Sequence, residues 1–216
     1  MVKVRELIKN GAIGKIANVN VSLGFVAEKR HPSKDHRLFK MDCGGGALLD
    51  VGVYCLSAIS MVAKCIDPEM KATSIQSSME FDEETKTDNQ CTAVVTYKSN
   101  NNHTRPLMAT FSCSFLCEYP RRLEICGTEG IITVSNSFHR PESVTLDETN
   151  GKVSVFDFPK EYAYGLGYYY EILHLLHMIS DKQVESPVMP LQETIEIMQI
   201  MDAIRKQHNF FYPKEE

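Results

Sequence analysis

Asp50 and Tyr54 are the side chains of this sequence best placed to do chemistry. They lie in Cys43–Tyr54, CGGGALLDVGVY, four residues apart. From Ala47 to Val62 the chain is otherwise apolar or small, apart from the weakly acidic Cys55. That pattern predicts a helix buried on most of its circumference. A spacing of four puts carboxylate and phenol on one helical face. Burying an unpaired carboxylate is expensive. The pair is therefore either satisfied structurally, as an Asp near a helix start beside a half-buried Tyr, or it faces a pocket. Gly52, between them, costs roughly 1 kcal/mol relative to Ala in a helix interior. Close approach of a substrate or cofactor would account for it, and so would tight packing against a sheet.

His36 and Arg37 stand just before the glycines. They could reach a cofactor phosphate or a substrate hydroxyl, or belong to a solvated basic loop. Glu171, His174 and His177 are spaced by three. Steps of three drift by about 60° around a helix, so this set reads as one side of an amphipathic surface helix and no metal site is expected. Cys113 and Cys117, in a strand pattern with Phe111 and Phe115, read as small packing residues.

The elements that must position these residues follow from periodicity. A helix is expected over about Val2–Asn10, with Gly11 as its C-terminal stop. Lys15–Phe25 alternates, with Ile16, Asn18, Asn20 and Ser22 on one face and Val19, Val21, Leu23 and Phe25 largely on the other, as a half-buried strand does. Val26–Asp42 reads as a basic loop, and the buried helix follows to about Lys64. Strands are then expected at Ala72–Phe81, Gln90–Tyr97, Leu107–Phe115, Arg121–Cys126 and Ile131–Val134. Gly127–Gly130 is a hairpin signal. Two more strands, Ser143–Asp147 and Lys152–Phe158, flank Asn150-Gly151. Helices over about Gly167–Ser180 and Leu191–Gln207 close the chain. The layout is α+β: one large, mainly antiparallel sheet with helices on one face, in a single domain.

Composition limits the function classes. The 216 residues are 43% hydrophobic and 24% charged, with a net charge of −5, and the two signs are interspersed. This argues against a nucleic-acid surface. No apolar run approaches the roughly 20 residues of a membrane span, and no membrane association is expected. Seven scattered cysteines form no zinc-type pair and suit a reduced, cytoplasmic protein. No GxGxxG joins a strand to a helix, and no G-x-S-x-G, HExxH or Walker A motif occurs.

The segment Cys43–Val62, CGGGALLDVGVYCLSAISMV, resembles the motif region of the glucose–fructose oxidoreductase/inositol dehydrogenase family, and within it the branch of dihydrodiol and D-xylose dehydrogenases. Val4–Ile8 with Gly11–Gly14, Ile125–Gly130, Tyr170-Glu171 and Ser186–Leu191 agree in order. Members of this family have an N-terminal Rossmann domain that binds NAD(P), followed by an α+β substrate domain. This chain resembles the second alone, and about 100–150 residues of nucleotide domain are expected to be missing.

The resemblance implies hydride transfer between a carbinol carbon of a sugar or trans-dihydrodiol and a nicotinamide, with Tyr54 as acid/base. A phenol of pKa near 10 is a poor base at neutral pH, and a neighbouring cation would correct this. In the family that cation is a Lys of a Glu-Lys-Pro segment in the nucleotide domain. Asp50 would orient a substrate hydroxyl or hold the Tyr–Lys pair. Arg37, Gly45 and Gly46 are expected at the cofactor, NADP or NAD, which would bind only with the missing domain. His36, Tyr164 and Tyr168 are expected at the substrate; the aromatic run Tyr162–Tyr170 would wall its pocket or pack at a sheet edge. A homodimer through the open sheet face is expected. The alternative is a non-catalytic binding or dimerisation module derived from such an enzyme.

Overall fold

The structure is a computed structural model that describes residues 1–101, 103–135, 137–158 and 167–213. Its frame is one sheet of eight strands: β1 (Ile16–Gly24), β2 (Lys71–Phe81), β3 (Asp88–Lys98), β4 (Leu107–Ser114), β5 (Leu123–Gly127), β6 (Gly130–Val134), β7 (Ser143–Glu148) and β8 (Val153–Asp157). Their order across the sheet is β2-β3-β4-β1-β5-β6-β7-β8. Every pairing is antiparallel except β1 with β4. A parallel pair needs a long crossover, and here the crossover contains the helix of the Asp50–Tyr54 segment.

The helices are α1 (Val2–Lys9), the single turn α2 (Ala27–Arg30), α3 (Val53–Ile66), α4 (Tyr168–Ser180) and α5 (Leu191–Gln207). α1, α3 and α5 build one layer over the sheet: α3 packs on β1 and β4, α5 on β2, and both α1 and α5 on α3. Strand alternation turns Val19, Val21 and Leu23 of β1, Ala93 and Val95 of β3, and Ala109 and Phe111 of β4 into this core. Leu56 and Ile59 of α3 meet them, fully buried, each stabilising by about 2 kcal/mol. Between α3 and α5 the buried Ser60 hydroxyl donates to Glu193 at 2.8 Å.

Several expectations shift in detail. Ile16 is buried although the alternation set it beside Asn18 and Asn20, because the β1–β5 register slips between Ile16 and Asn18; such a bulge moves a side chain to the other face. The basic loop contains α2 and two short 3₁₀ turns, Arg37–Phe39 and Met41–Cys43. Cys113 is buried in β4, whereas Cys117 lies beyond the strand and is exposed. Met41–Ile66, 26 residues, is long and apolar enough to cross a membrane by composition alone, which corrects the reading that no run approaches that size. Its most apolar window is 72% buried inside the molecule, so it is the core helix of the fold. α4 spans the expected residues but leaves Ile172, Leu175, Leu176 and Ile179 exposed.

Candidate active site

The helix carrying Asp50 and Tyr54 does not begin as an ordinary α-helix. Leu48–Gly52 is a π-helical turn, and the Val53 N–H bonds the carbonyl of Leu48, five residues back. A single π turn inside a helix re-aims its side chains and recurs at functional sites. Gly52 sits under this turn against the sheet: a Cβ there would lie 3.1 Å from Cys113 Sγ and from Leu48 Cδ1. Packing on β4 therefore accounts for Gly52.

Asp50 and Tyr54 come out at the edge of this buried element. Asp50 Oδ1 pairs with Arg37 Nη1 at 2.8 Å. The Asp50 side chain is 19% exposed and that of Arg37 65%, so the pair is open to water on the arginine side. Tyr54 is 46% exposed. Its phenol is held above the usual range, chiefly by partial burial, then by the neighbouring Tyr168 and Asp50, while Arg37 opposes the shift. His36 lies in the same loop; its ring stacks on His31 with centroids 3.8 Å apart, and its Nδ1 accepts the N–H of Leu38. Desolvation first, then His31 and Arg37, lower the His36 pKa.

The structure thus gathers Asp50, Tyr54, Arg37, His36 and Tyr168. Tyr164 lies outside the described residues. One further residue was not anticipated. His139 sets its ring 5.5 Å from that of Tyr54, tilted by 49°, and edges onto the buried Phe138. Burial, then Arg121 and Arg140, depress its pKa, which keeps the imidazole neutral at pH 7. A lone His in the turn between β6 and β7 carries no sequence signal for this contact.

Gly45 and Gly46 pack closely against the chain itself. A Cβ at Gly45 would lie 2.7 Å from the Leu38 carbonyl oxygen and 2.8 Å from that of Arg37. At Gly46, where φ is +124°, a Cβ would fall 1.9 Å from Asp88 Oδ1. The close approach these glycines permit is to the chain's own loop and to Asp88. Arg37 is engaged by Asp50 and remains open to water on its other side. What the site offers is a phenol, an ion pair and two neighbouring rings, groups able to exchange a proton and to make hydrogen bonds.

The GFO/IDH/MocA C-terminal domain description matches residues 1–133. The chain belongs to this family. Asp50, Tyr54, Arg37, His36 and the glycine turn all lie inside the matched GFO/IDH/MocA segment. Along its length the chain is 28% identical over 216 residues to a trans-1,2-dihydrobenzene-1,2-diol dehydrogenase of Xenopus tropicalis, covering 98% of this chain and 60% of that protein. It is 26% identical over 228 residues to an NADP(+) D-xylose 1-dehydrogenase of Hypocrea jecorina, covering 99% and 58% respectively. The fold matches the crystal structure of an aldose–aldose oxidoreductase from Caulobacter crescentus complexed with glycerol, with a TM-score of 0.73, 14% identity, and coverage of 96% of this chain and 58% of the other. The chain therefore spans about three-fifths of the length of these GFO/IDH/MocA relatives.

Proposed function

We propose that this chain is the substrate-binding part of an NAD(P)-dependent oxidoreductase acting on a CH–OH group of a sugar or trans-dihydrodiol. The observation that carries the reading is the convergence of Tyr54, the Asp50–Arg37 pair, His139 and Tyr168 at one edge of the core helix. The relatives named above act on a dihydrodiol and on D-xylose, which supports the substrate class. When bound, the nicotinamide would supply the hydride acceptor. Its phosphates would be gripped by a nucleotide-binding domain, since Gly45 and Gly46 are filled by the chain itself.

Within that scheme Tyr54 exchanges the proton of the reacting hydroxyl. Its raised pKa keeps the phenol protonated at neutral pH, so unaided it is set up to donate a proton to a carbonyl during reduction. Oxidation requires the phenolate. Among the described residues Arg37 alone lowers the Tyr54 pKa, so a second cation from the nucleotide domain would favour the oxidative direction. Asp50, fixed by Arg37, accepts from a neighbouring substrate hydroxyl and orients the ring. Tyr168 and the neutral His139 wall the site, where a sugar or diol can lay its C–H face.

The free thiols suit a cytoplasmic enzyme. The open sheet face, where Thr92 and Ser112 share a hydrogen bond at 3.0 Å and Asn18 donates to the Met108 carbonyl at 3.2 Å, is proposed as a homodimer contact. The test is turnover of D-xylose, other aldoses and trans-dihydrobenzenediol with NAD+ and NADP+, using this chain joined to a relative's nucleotide domain. Reduction of nicotinamide with at least one of them, weakened by Asp50→Asn, supports the reading; a folded fusion that reduces nothing removes it.

A further inference from the structure

The turn that launches the site helix is held from two sides by residues remote in sequence. From β3, the fully buried Asp88 accepts the Leu48 N–H on Oδ2 at 2.7 Å. Its Oδ1, without a hydrogen-bond partner among the described residues, lies against the bare Cα of Gly46. From the segment after α5, the buried Tyr212 donates its hydroxyl to the Gly45 carbonyl at 2.9 Å. Tyr212 is itself fixed: its ring stacks edge-on with Phe210 at 5.1 Å, and the Arg205 guanidinium sits over its face at 4.9 Å. Arg205 also faces Asp88 electrostatically, so the two holds share a residue.

The clamped turn connects both halves of the candidate site. Upstream, the Gly45 and Gly46 N–H groups bond the carbonyls of Lys40 and Leu38 at 2.8 and 2.9 Å, which ties the turn to the loop of His36 and Arg37. Downstream, the Asp50 N–H bonds the Gly46 carbonyl at 3.3 Å. The separation of Arg37 from Asp50 is thus set by where this turn sits.

We infer that Asp88 and Tyr212 are positioning residues that clamp the Gly44–Gly46 turn and thereby hold Arg37, Asp50 and Tyr54 in register. The importance of that register rests on the function proposed above, but the clamp is testable without turnover. Asp88 bonds Leu48 and Tyr212 bonds Gly45, so each acts on the site through the turn. Part of the site's geometry is then stored in the segment after α5.

The experiment is residue-resolved amide hydrogen exchange by NMR on the full chain, comparing Tyr212→Phe and Asp88→Asn with the parent. Tyr212→Phe removes one hydroxyl and keeps the ring. It should accelerate exchange about fivefold, the factor one neutral hydrogen bond supports. The acceleration should run from Gly45 and Gly46 through Asp50, Val51 and Gly52, while Val19, Ile125 and Ile132 in the sheet stay unchanged. Asp88→Asn, which keeps an acceptor for Leu48, should have a smaller effect than Asp88→Ala at the same amides. Acceleration confined to Gly45 and Gly46, or spread evenly into the sheet, would overturn the inference. If Asp88→Ala does not fold, Tyr212→Phe decides alone. Propagation to Asp50 in an enzyme that turns over no sugar or diol would sustain the clamp and remove the proposed function; turnover without propagation would do the reverse.

Discussion

Adding one methyl group at Gly46 should be among the most damaging small changes to this molecule. Gly46 has φ +124°, and a Cβ there would lie 1.9 Å from Asp88 Oδ1, 2.9 Å from Asp88 Cγ and 3.3 Å from the Asp88 nitrogen. Holding an L-residue at such a φ costs roughly 1–2 kcal/mol, and forcing atoms into a packed interior costs about 1–3 kcal/mol more. Gly46→Ala is therefore expected to destabilise by roughly 2–5 kcal/mol. Gly44 supplies the control. Its φ is +66°, but the nearest atom to a Cβ is Leu49 Cδ1 at 3.8 Å, an ordinary contact, so Gly44→Ala should cost only the backbone component of roughly 1–2 kcal/mol. Urea unfolding measures both, as a fall in midpoint at constant slope. A double variant identifies the obstacle: in an Asp88→Ala background the Gly46→Ala cost should shrink by at least about 1 kcal/mol, since neighbours in contact are non-additive. Equal costs at Gly44 and Gly46, or strict additivity with Asp88→Ala, would refute the contact on which the clamp depends.

Other outcomes are expected. Burial, opposed by bonds from the Leu48, Asp88 and Ala47 N–H groups and by Arg205, lifts the Asp88 pKa from 3.8 to about 6. A carboxyl whose folded pKa is raised contributes stability that is full below 3.8 and lost as pH rises through about 6; at about 1.36 kcal/mol per unit the swing is about 3 kcal/mol. Urea midpoints between pH 3.5 and pH 7 should show this swing in the parent and not in Asp88→Asn; identical profiles would exclude it. His139 has the opposite sign: its depressed pKa means stability present above pH 6.5 is lost on acidification, and His139→Gln should remove that loss from the same titration. With no tryptophan in the sequence, NADPH emission can be followed against a low background, and no saturable binding to this chain alone is expected below millimolar concentration; micromolar affinity would mean that a phosphate grip exists in these residues. Light scattering is expected to give a dimer that Met108→Lys, on the open sheet face, converts to monomer; a parent that runs as a monomer rules this contact out.

Much of the fold could be read from the sequence because its signals are local. Ala47–Val62 has almost no polar residue to spoil a buried helix, and β3, β4 and β5 alternate cleanly, so element types and approximate bounds followed. The meeting of Asp50 and Tyr54 near Arg37 was partly legible, since the first two share a short segment and the third stands just upstream. The π turn was not. It adds one residue to one turn, a change too small to disturb a pattern dominated by apolar side chains. Nor was the part of Asp88, the first residue of β3, which becomes a buried partner of Leu48 only because β3 runs beneath the site helix. His139 and Tyr212 were invisible for the same reason: their contacts join residues 85 and 167 positions apart. The glycines were noticed for the missing Cβ, but their contacts with Leu38, Arg37 and Asp88 were not legible, because a sequence does not record what fills the place of a missing Cβ.

In the proposed reaction the Tyr54 hydroxyl exchanges the proton of the reacting carbinol. Tyr54→Phe, in this chain joined to a nucleotide-binding domain, tests it most directly, because the ring is 46% exposed and losing its hydroxyl should leave folding intact. A fall in kcat of about 10²–10⁴-fold with an unchanged melting temperature is the expected result. Turnover within a factor of two of the parent would contradict it.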